Sequence, residues 1–265
     1  MKLLQRITIV LFVLVTAMYG FTQVKLRHFT DRTPPVISFD SDIVVISSNS
    51  GDQGLLQGVT ATDKEDGDVT DKLVVQGVTQ LLTKNTAKVT YAVFDSANNF
   101  ATATRTVQYS DYEKPRFQLH QPLVFPLNQA VDIAKMLTAT DLRDGDISAN
   151  IRISSSSMDV LTPGLYTVTA QAINSLSDTE ILPLKVIISG DAIVEPSFLL
   201  SDYVVYLNVG DPFDAQSYVQ DVDGRKPVQA DGSAVDTSTP GIYHVAYSHN
   251  TDSNVFTVYQ TVVVR

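Results

Sequence analysis

The chain has 265 residues, 44% hydrophobic and 18% charged, with 13 glycines and 11 prolines, a make-up that suits two or three small folded domains and excludes a disordered chain. Its formal net charge of −10 excludes nucleic acid as a partner, because phosphate recognition needs clustered Lys and Arg and no basic stripe occurs. The absence of cysteine removes thiolate metal sites, cysteine nucleophiles and disulfides together, so packing alone must hold each unit.

The first element is a membrane-targeting segment. Lys2 and Arg6 precede an uncharged run from Ile7 to Val24, which as a helix reaches about 27 Å, close to the roughly 30 Å of a bilayer's hydrocarbon. A retained anchor over 7–24, with a short cytoplasmic tail at 1–6 and a linker at 25–33, is the first reading, because the apolar run continues through Met18, Tyr19 and Phe21. The competing reading is a cleaved signal peptide, with Ile7 to Val15 as its apolar region and a cut after Ala17.

Beyond it the chain repeats itself. Thr60 to Thr70 reads TATDKEDGDVT, Thr138 to Ser148 reads TATDLRDGDIS, and Val219 to Val228 gives a degraded copy, VQDVDGRKPV. The turn glycines Gly67, Gly145 and Gly224 stand 78 and 79 residues apart, the length of a compact sandwich domain and too long for a solenoid repeat. Each copy opens on proline (Pro34-Pro35, Pro115, Pro196) before an extended stretch, as suits an edge or first strand residue. KVTYAVFD at Lys88 to Asp95 alternates with Val89, Tyr91 and Val93 on one face, and TPGLYTV (Thr162 to Val168) and TPGIYHV (Thr239 to Val245) each feed an alternating strand from a Pro-Gly turn. Ala101 to Tyr109 and Phe256 to Val263 read as closing strands, and Val131 to Met136 as a single helical turn.

The strings TPPVI, ATDKEDGDVT and VTYAVFDSANN resemble the bacterial Ig-like domains named after pesticidal crystal proteins and, more loosely, hyalin-type repeats. The resemblance covers Thr33 to Tyr109 well, Pro115 to Ile188 moderately, and the third copy only in its TPG strand and shortened turn. It implies an all-β chain of three tandem Ig-like β-sandwich domains (34–110, 111–190 and a divergent 191–265) after the N-terminal transmembrane helix, used on bacterial surfaces for spacing or adhesion without catalysis. The lack of cysteine agrees with a bacterial rather than an animal exported protein.

Carboxylates gather only in the turns: Asp63, Glu65, Asp66 and Asp68 in the first copy, Asp141, Asp144 and Asp146 in the second. Calcium takes such oxygens, 6 to 8 at about 2.3–2.6 Å, and is the cofactor this density allows. The competing reading makes Asp-Gly-Asp a tight turn, with glycine at positive φ and the aspartates bonding nearby amides. An EF-hand is excluded, since Asp68 falls where the glycine belongs.

No hydrolase or zinc-protease motif occurs, and His244 and His249, five apart on one strand, point to opposite faces and are expected in solvent. Tyr203 and Tyr206 have opposite parity, so one of them is expected exposed as a contact for an extracellular protein or glycan. The function expected is thus a membrane-anchored extracellular stalk or adhesion module. The alternatives are a secreted form, an accessory subunit using the helix as its binding element, and an enzyme with a site between domains.

Overall fold

The computed structural model describes residues 2–29, 31–83, 85–190, 196–220, 227–250 and 255–265, with side chains of the first helix described at 5 and 7–22. Contacts gather the chain into two compact units, one of residues 1–46 and 50–109, the other of 47–49 and 110–265.

The first unit begins with α1 (Lys2–Phe29), which outruns the apolar stretch at both ends, taking in expected tail and linker residues. Lys, Leu, Gln and Arg are good helix formers, so the flanks extend the helix. From Ile7 to Phe21 its large apolar side chains are exposed all round. Among the described residues no helix is long and apolar enough to cross a membrane. The side chains of Gln23 and Val24, which complete the expected span, lie outside the described ones.

The rest of this unit comprises β1 (Val36–Phe39), β2 (Ile43–Ile46), a short helix α2 (Gly51–Leu55), β3 (Val59–Asp63), β4 (Gly67–Asp68), β5 (Val74–Val78), β6 (Thr86–Phe94) and β7 (Phe100–Tyr109). They form two sheets, β1-β3-β4 and β2-β7-β6-β5. The chain changes sheet at Asp40-Ser41-Asp42, where Ser41 Oγ donates to the Ile43 carbonyl at 2.9 Å, a local bond typical of turn serines. β2 then runs parallel to β7, Ile43 opposite Thr106 and Ile46 opposite Tyr109, while β6 and β7 form a long antiparallel hairpin. The alternation read in β6 is borne out: Val89, Tyr91 and Val93 are fully buried with Ala61, Val107 and Tyr109. Each such side chain contributes about 1.5–3 kcal/mol for the larger ones.

One cation enters this core. Arg105 on β7 is buried, its Nε donating to Tyr91 Oη at 3.0 Å and its Nη2 to the carbonyls of Leu55 (2.9 Å) and Gln57. The guanidinium lies 5.5 Å and 5.6 Å from the Phe39 and Tyr91 ring centres, and Asp40 pairs with it at 3.5 Å.

The second unit holds two further sheet pairs. The first is built from β8 (Arg116–Gln118), β9 (Val124–Pro126), β10 (Thr138–Asp141), β11 (Gly145–Asp146), β12 (Arg152–Ser156), β13 (Gly164–Ile173) and β14 (Thr179–Ser189), in sheets β11-β10-β8 and β12-β13-β14-β9. The second uses β15 (Leu199–Leu200), β16 (Val204–Leu207), β17 (Val219–Gln220), β18 (Gln229–Asp231), β19 (Gly241–Asn250) and β20 (Val255–Val264), in sheets β15-β17 and β16-β20-β19-β18. The parallel pairing of second and last strands recurs in both, as β9 with β14 and β16 with β20. The helical turn expected near Val131 is a 3-10 turn at Ile133–Met136. The chain outside α1 is therefore all-β, in paired sheets of the sandwich kind.

One contiguous core runs through this unit from Phe117 to Val264. The Tyr203 amide donates to the Leu119 carbonyl at 3.1 Å, and Tyr206 Oη accepts the Phe117 amide at 2.9 Å. The degraded third turn, with Gly224, Arg225 and Lys226, lies outside the described residues.

Candidate functional site

The acidic turns of the first two copies share one plan. Asp63, ending β3, is buried, and its Oδ1 accepts the amides of Glu65 (2.8 Å) and Asp66 (2.9 Å). Gly67 takes φ +76°, β4 follows, and Asp68 Oδ1 accepts the Thr70 amide at 2.9 Å. In the second copy Asp141 Oδ1 accepts Arg143 and Asp144 amides at 2.9 and 3.0 Å, Gly145 takes φ +72°, and Asp146 Oδ1 accepts the Ser148 amide at 2.9 Å. This is the turn chemistry of aspartate bonding its own following backbone, and glycine admits the left-handed residue without a Cβ penalty.

The middle acid of each turn acts at longer range. Asp66 accepts the amide and hydroxyl of Ser96 at 2.6 and 2.7 Å and pairs with Lys72 at 3.3 Å, while Asp144 accepts the amide and hydroxyl of Ser175 at 2.6 and 2.7 Å. Each ties its turn to a hairpin loop about thirty residues on. The Ser96 bonds hold the Asp66 carboxyl below the usual carboxylate range, as the Thr70 bonds do for Asp68 and the Ser148 bonds for Asp146. Glu65 faces Lys64 (3.1 Å) and Thr33 (3.2 Å). Glu65, Asp66, Asp68, Asp144 and Asp146 thus each bond separate backbone, hydroxyl or cationic partners and do not converge on one point.

Asp63 instead meets two acids that sequence reasoning missed. One carboxylate oxygen from each of Asp31, Asp63 and Asp95 lies within 4.8 Å of the others. Asp31 precedes β1, and Asp95 directly follows β6, its Oδ1 accepting the Asn99 amide and its Oδ2 the Asn99 side-chain amide, both at 2.7 Å. Thr33 caps Asp31 Oδ1 through its amide at 2.9 Å and its hydroxyl at 2.5 Å, which lowers that carboxyl's pKa. Asp63 Oδ2 is buried and accepts no hydrogen bond among the described residues.

The second copy has the same hairpin loop with different chemistry. The Asn174 amide donates to the Asp178 carbonyl and its carbonyl accepts Ser177, as Asp95 does with Asn99 and Asn98; Ser177 and Asn98 both sit near φ +60°. Asn174 therefore occupies the Asp95 position. Its Nδ2 donates to Asp141 Oδ2 at 3.0 Å and to Tyr112 Oη at 3.2 Å, while Tyr112 donates to Asp178 at 2.6 Å. Lys114 lies 3.8 Å from the same Asp178.

Of the two tyrosines, one of which is expected exposed, Tyr203 lies inside and Tyr206 is the more accessible. Tyr203 is fully buried, its Oη accepting the Leu200 amide at 3.2 Å. Tyr206 is half-buried between Arg265, 4.6 Å from its ring centre, and Arg116 at 5.5 Å, and burial pushes its hydroxyl up to about 12. Tyr203 precedes β16 and turns into the core, while Tyr206 on β16 meets Arg116 and the Phe117 amide of β8. The histidines expected in solvent need a correction. His249 is buried, its Nδ1 2.9 Å from Ser197 Oγ and its ring edge-on to Phe198. His244 is half-buried 3.3 Å from Thr261, and desolvation with the nearby Lys185 charge lowers its pKa to about 4.

The chain is 26% identical over 205 residues, 71% of its length, to the pesticidal crystal protein Cry22Aa of Bacillus thuringiensis, and spans 27% of that protein. Among solved structures it is similar to the CBM51-2 and INT domains of Clostridium perfringens ZmpB in complex with GlcNAc, at 17% identity over 56% of this chain and 26% of that one, with a TM-score of 0.24. It is similar also to Drosophila N-cadherin EC1-4, at 13% identity over 88% of this chain and 67% of that one, with a TM-score of 0.23. Residues 45–108, from β2 to the end of β7, match the family described as bacterial surface protein, Ig-like domain.

Proposed function

We propose that this chain is an extracellular Ig-like module held to a membrane by α1, serving as a spacer or adhesion unit for a protein or glycan outside the cell, and that it carries out no catalysis. The observation that carries the reading is the bare apolar surface of α1. Phe12, Met18 and Phe21 are 67%, 72% and 69% exposed, with Ile9, Leu11 and Leu14 exposed beside them. A helix apolar on every face is unstable in water and is at home in hydrocarbon. The surface-protein Ig-like match at 45–108 supports the extracellular side, and long translocated domains cross largely regardless of flanking charge.

The test is to express the full chain in a bacterial host, fractionate it, and treat intact cells with protease. Membrane-bound protein with an intact Met1 and protease-sensitive β-units is expected. Recovery of a mature chain starting near Met18 in the medium would replace the anchor with a signal peptide, and protection of the β-units in intact cells would overturn the reading.

A further inference from the structure

We infer that Asp31, Asp63 and Asp95 form a single calcium site in the first unit, which shares only Asp63 with the acids of the turn. Three carboxylates from three separate segments converge within 4.8 Å, two of them buried, and like charges held this close repel unless a cation joins them. No Lys or Arg pairs with any of the three among the described residues. Lys64 is largely exposed and bonds Glu65 at 3.1 Å, acting on Asp31 and Asp63 only through space.

The second observation is independent of the clustering. Asp63 Oδ2 is buried and without a hydrogen-bond donor, although Asp63 as a whole is only 8% exposed. A buried carboxylate oxygen requires a partner. The same chain shows how that requirement is met without metal: in the second copy the equivalent oxygen, Asp141 Oδ2, receives the Asn174 side-chain amide at 3.0 Å. The first copy puts Asp95 where that amide stands. In the second copy Asn174 also meets the Tyr112 hydroxyl, so the Asp141 and Asp178 carboxylates there each have a neutral donor, whereas in the first copy Asp31 and Asp95 bring two further carboxylates to Asp63.

The ligand class follows from the donors. All are hard oxygens with no imidazole or thiolate, which disfavours zinc and copper, and calcium accepts irregular carboxylate sets that mix mono- and bidentate oxygens. Asp31 is half-buried, which gives a route in.

The test uses the full chain in mild detergent, stripped with EDTA and titrated calorimetrically with calcium chloride. One equivalent is expected, with a Kd of about 10⁻⁴–10⁻³ M as in extracellular modules. Asp95→Asn supplies the amide that the second copy carries, so it is expected to keep the circular dichroism of the parent and to lose the equivalent. Should that variant unfold, Asp31→Asn takes its place, with the same loss expected. Absence of binding to the parent at millimolar calcium, undiminished binding to the folded variant, or equally tight magnesium binding would each overturn the assignment.

Discussion

Asn174 Nδ2 donates to Asp141 Oδ2 at 3.0 Å inside the second unit, joining the hairpin loop after β13 to the end of β10. Both residues are at least nine-tenths buried, so the bond has no solvent to replace it. Asn174→Ala leaves a buried carboxylate oxygen without its donor and is expected to lower the stability of the second unit by about 2 kcal/mol. Chemical denaturation of the variant against the parent measures it, and a change within error would show that the bond contributes nothing.

Arg105 offers a larger effect. Arg105→Ala removes the donors to Tyr91 and to the Leu55 and Gln57 carbonyls and opens a hole between two rings. The expected loss is about 3–5 kcal/mol, confined to the first unit. Calorimetry resolves it as a shift of one transition with the other unmoved.

At Gly67 and Gly145 an added Cβ meets no atom within 4 Å, so substitution acts through the backbone alone. Gly67→Ala and Gly145→Ala are each expected to cost about 1–2 kcal/mol, the strain of a left-handed L-residue, while Gly→Asn at either position costs less. Equal stability of the alanine and asparagine variants in urea would contradict this.

His244 makes the second unit pH-sensitive. Its pKa falls from an ordinary 6.5 to about 4, through burial and the Lys185 charge, so the unfolded chain binds the proton first. Stability is full above about 6.5, declines as pH falls, and levels off below about 4. The drop is about 2 kcal/mol once discounted for the solvent the half-buried ring still meets. His244→Gln is expected to remove that slope, read as the difference between parent and variant denaturation curves across the window.

Local signals carried most of the fold. The Asp-Gly-Asp strings mark turns because aspartate bonds its own following amides, a property of neighbouring residues, and the Val89-Tyr91-Val93 alternation marks a strand for the same reason. The carboxylate cluster was not legible that way. Asp31, Asp63 and Asp95 are 32 residues apart in turn, and only the pairing of β1 with β3 and the crossing of β6 over them bring the three together. The available signal was the contrast between DSANN at Asp95 and NSLSD at Asn174, in which the acid moves from the first position of the loop to the last between copies. His249 failed for a related reason: parity says which way a side chain points, but not that Ser197 and Phe198 cover that side.

The parallel pairing of the second and last strands in each sheet pair has a mechanical consequence. When the chain is pulled at its two ends, β2 and β7 are drawn in opposite directions along their lengths, and so are β16 and β20. Their backbone hydrogen bonds are then loaded together in shear rather than peeled one after another, so rupture requires several bonds to fail at once. A tether of such units resists extension most where its own ends are gripped.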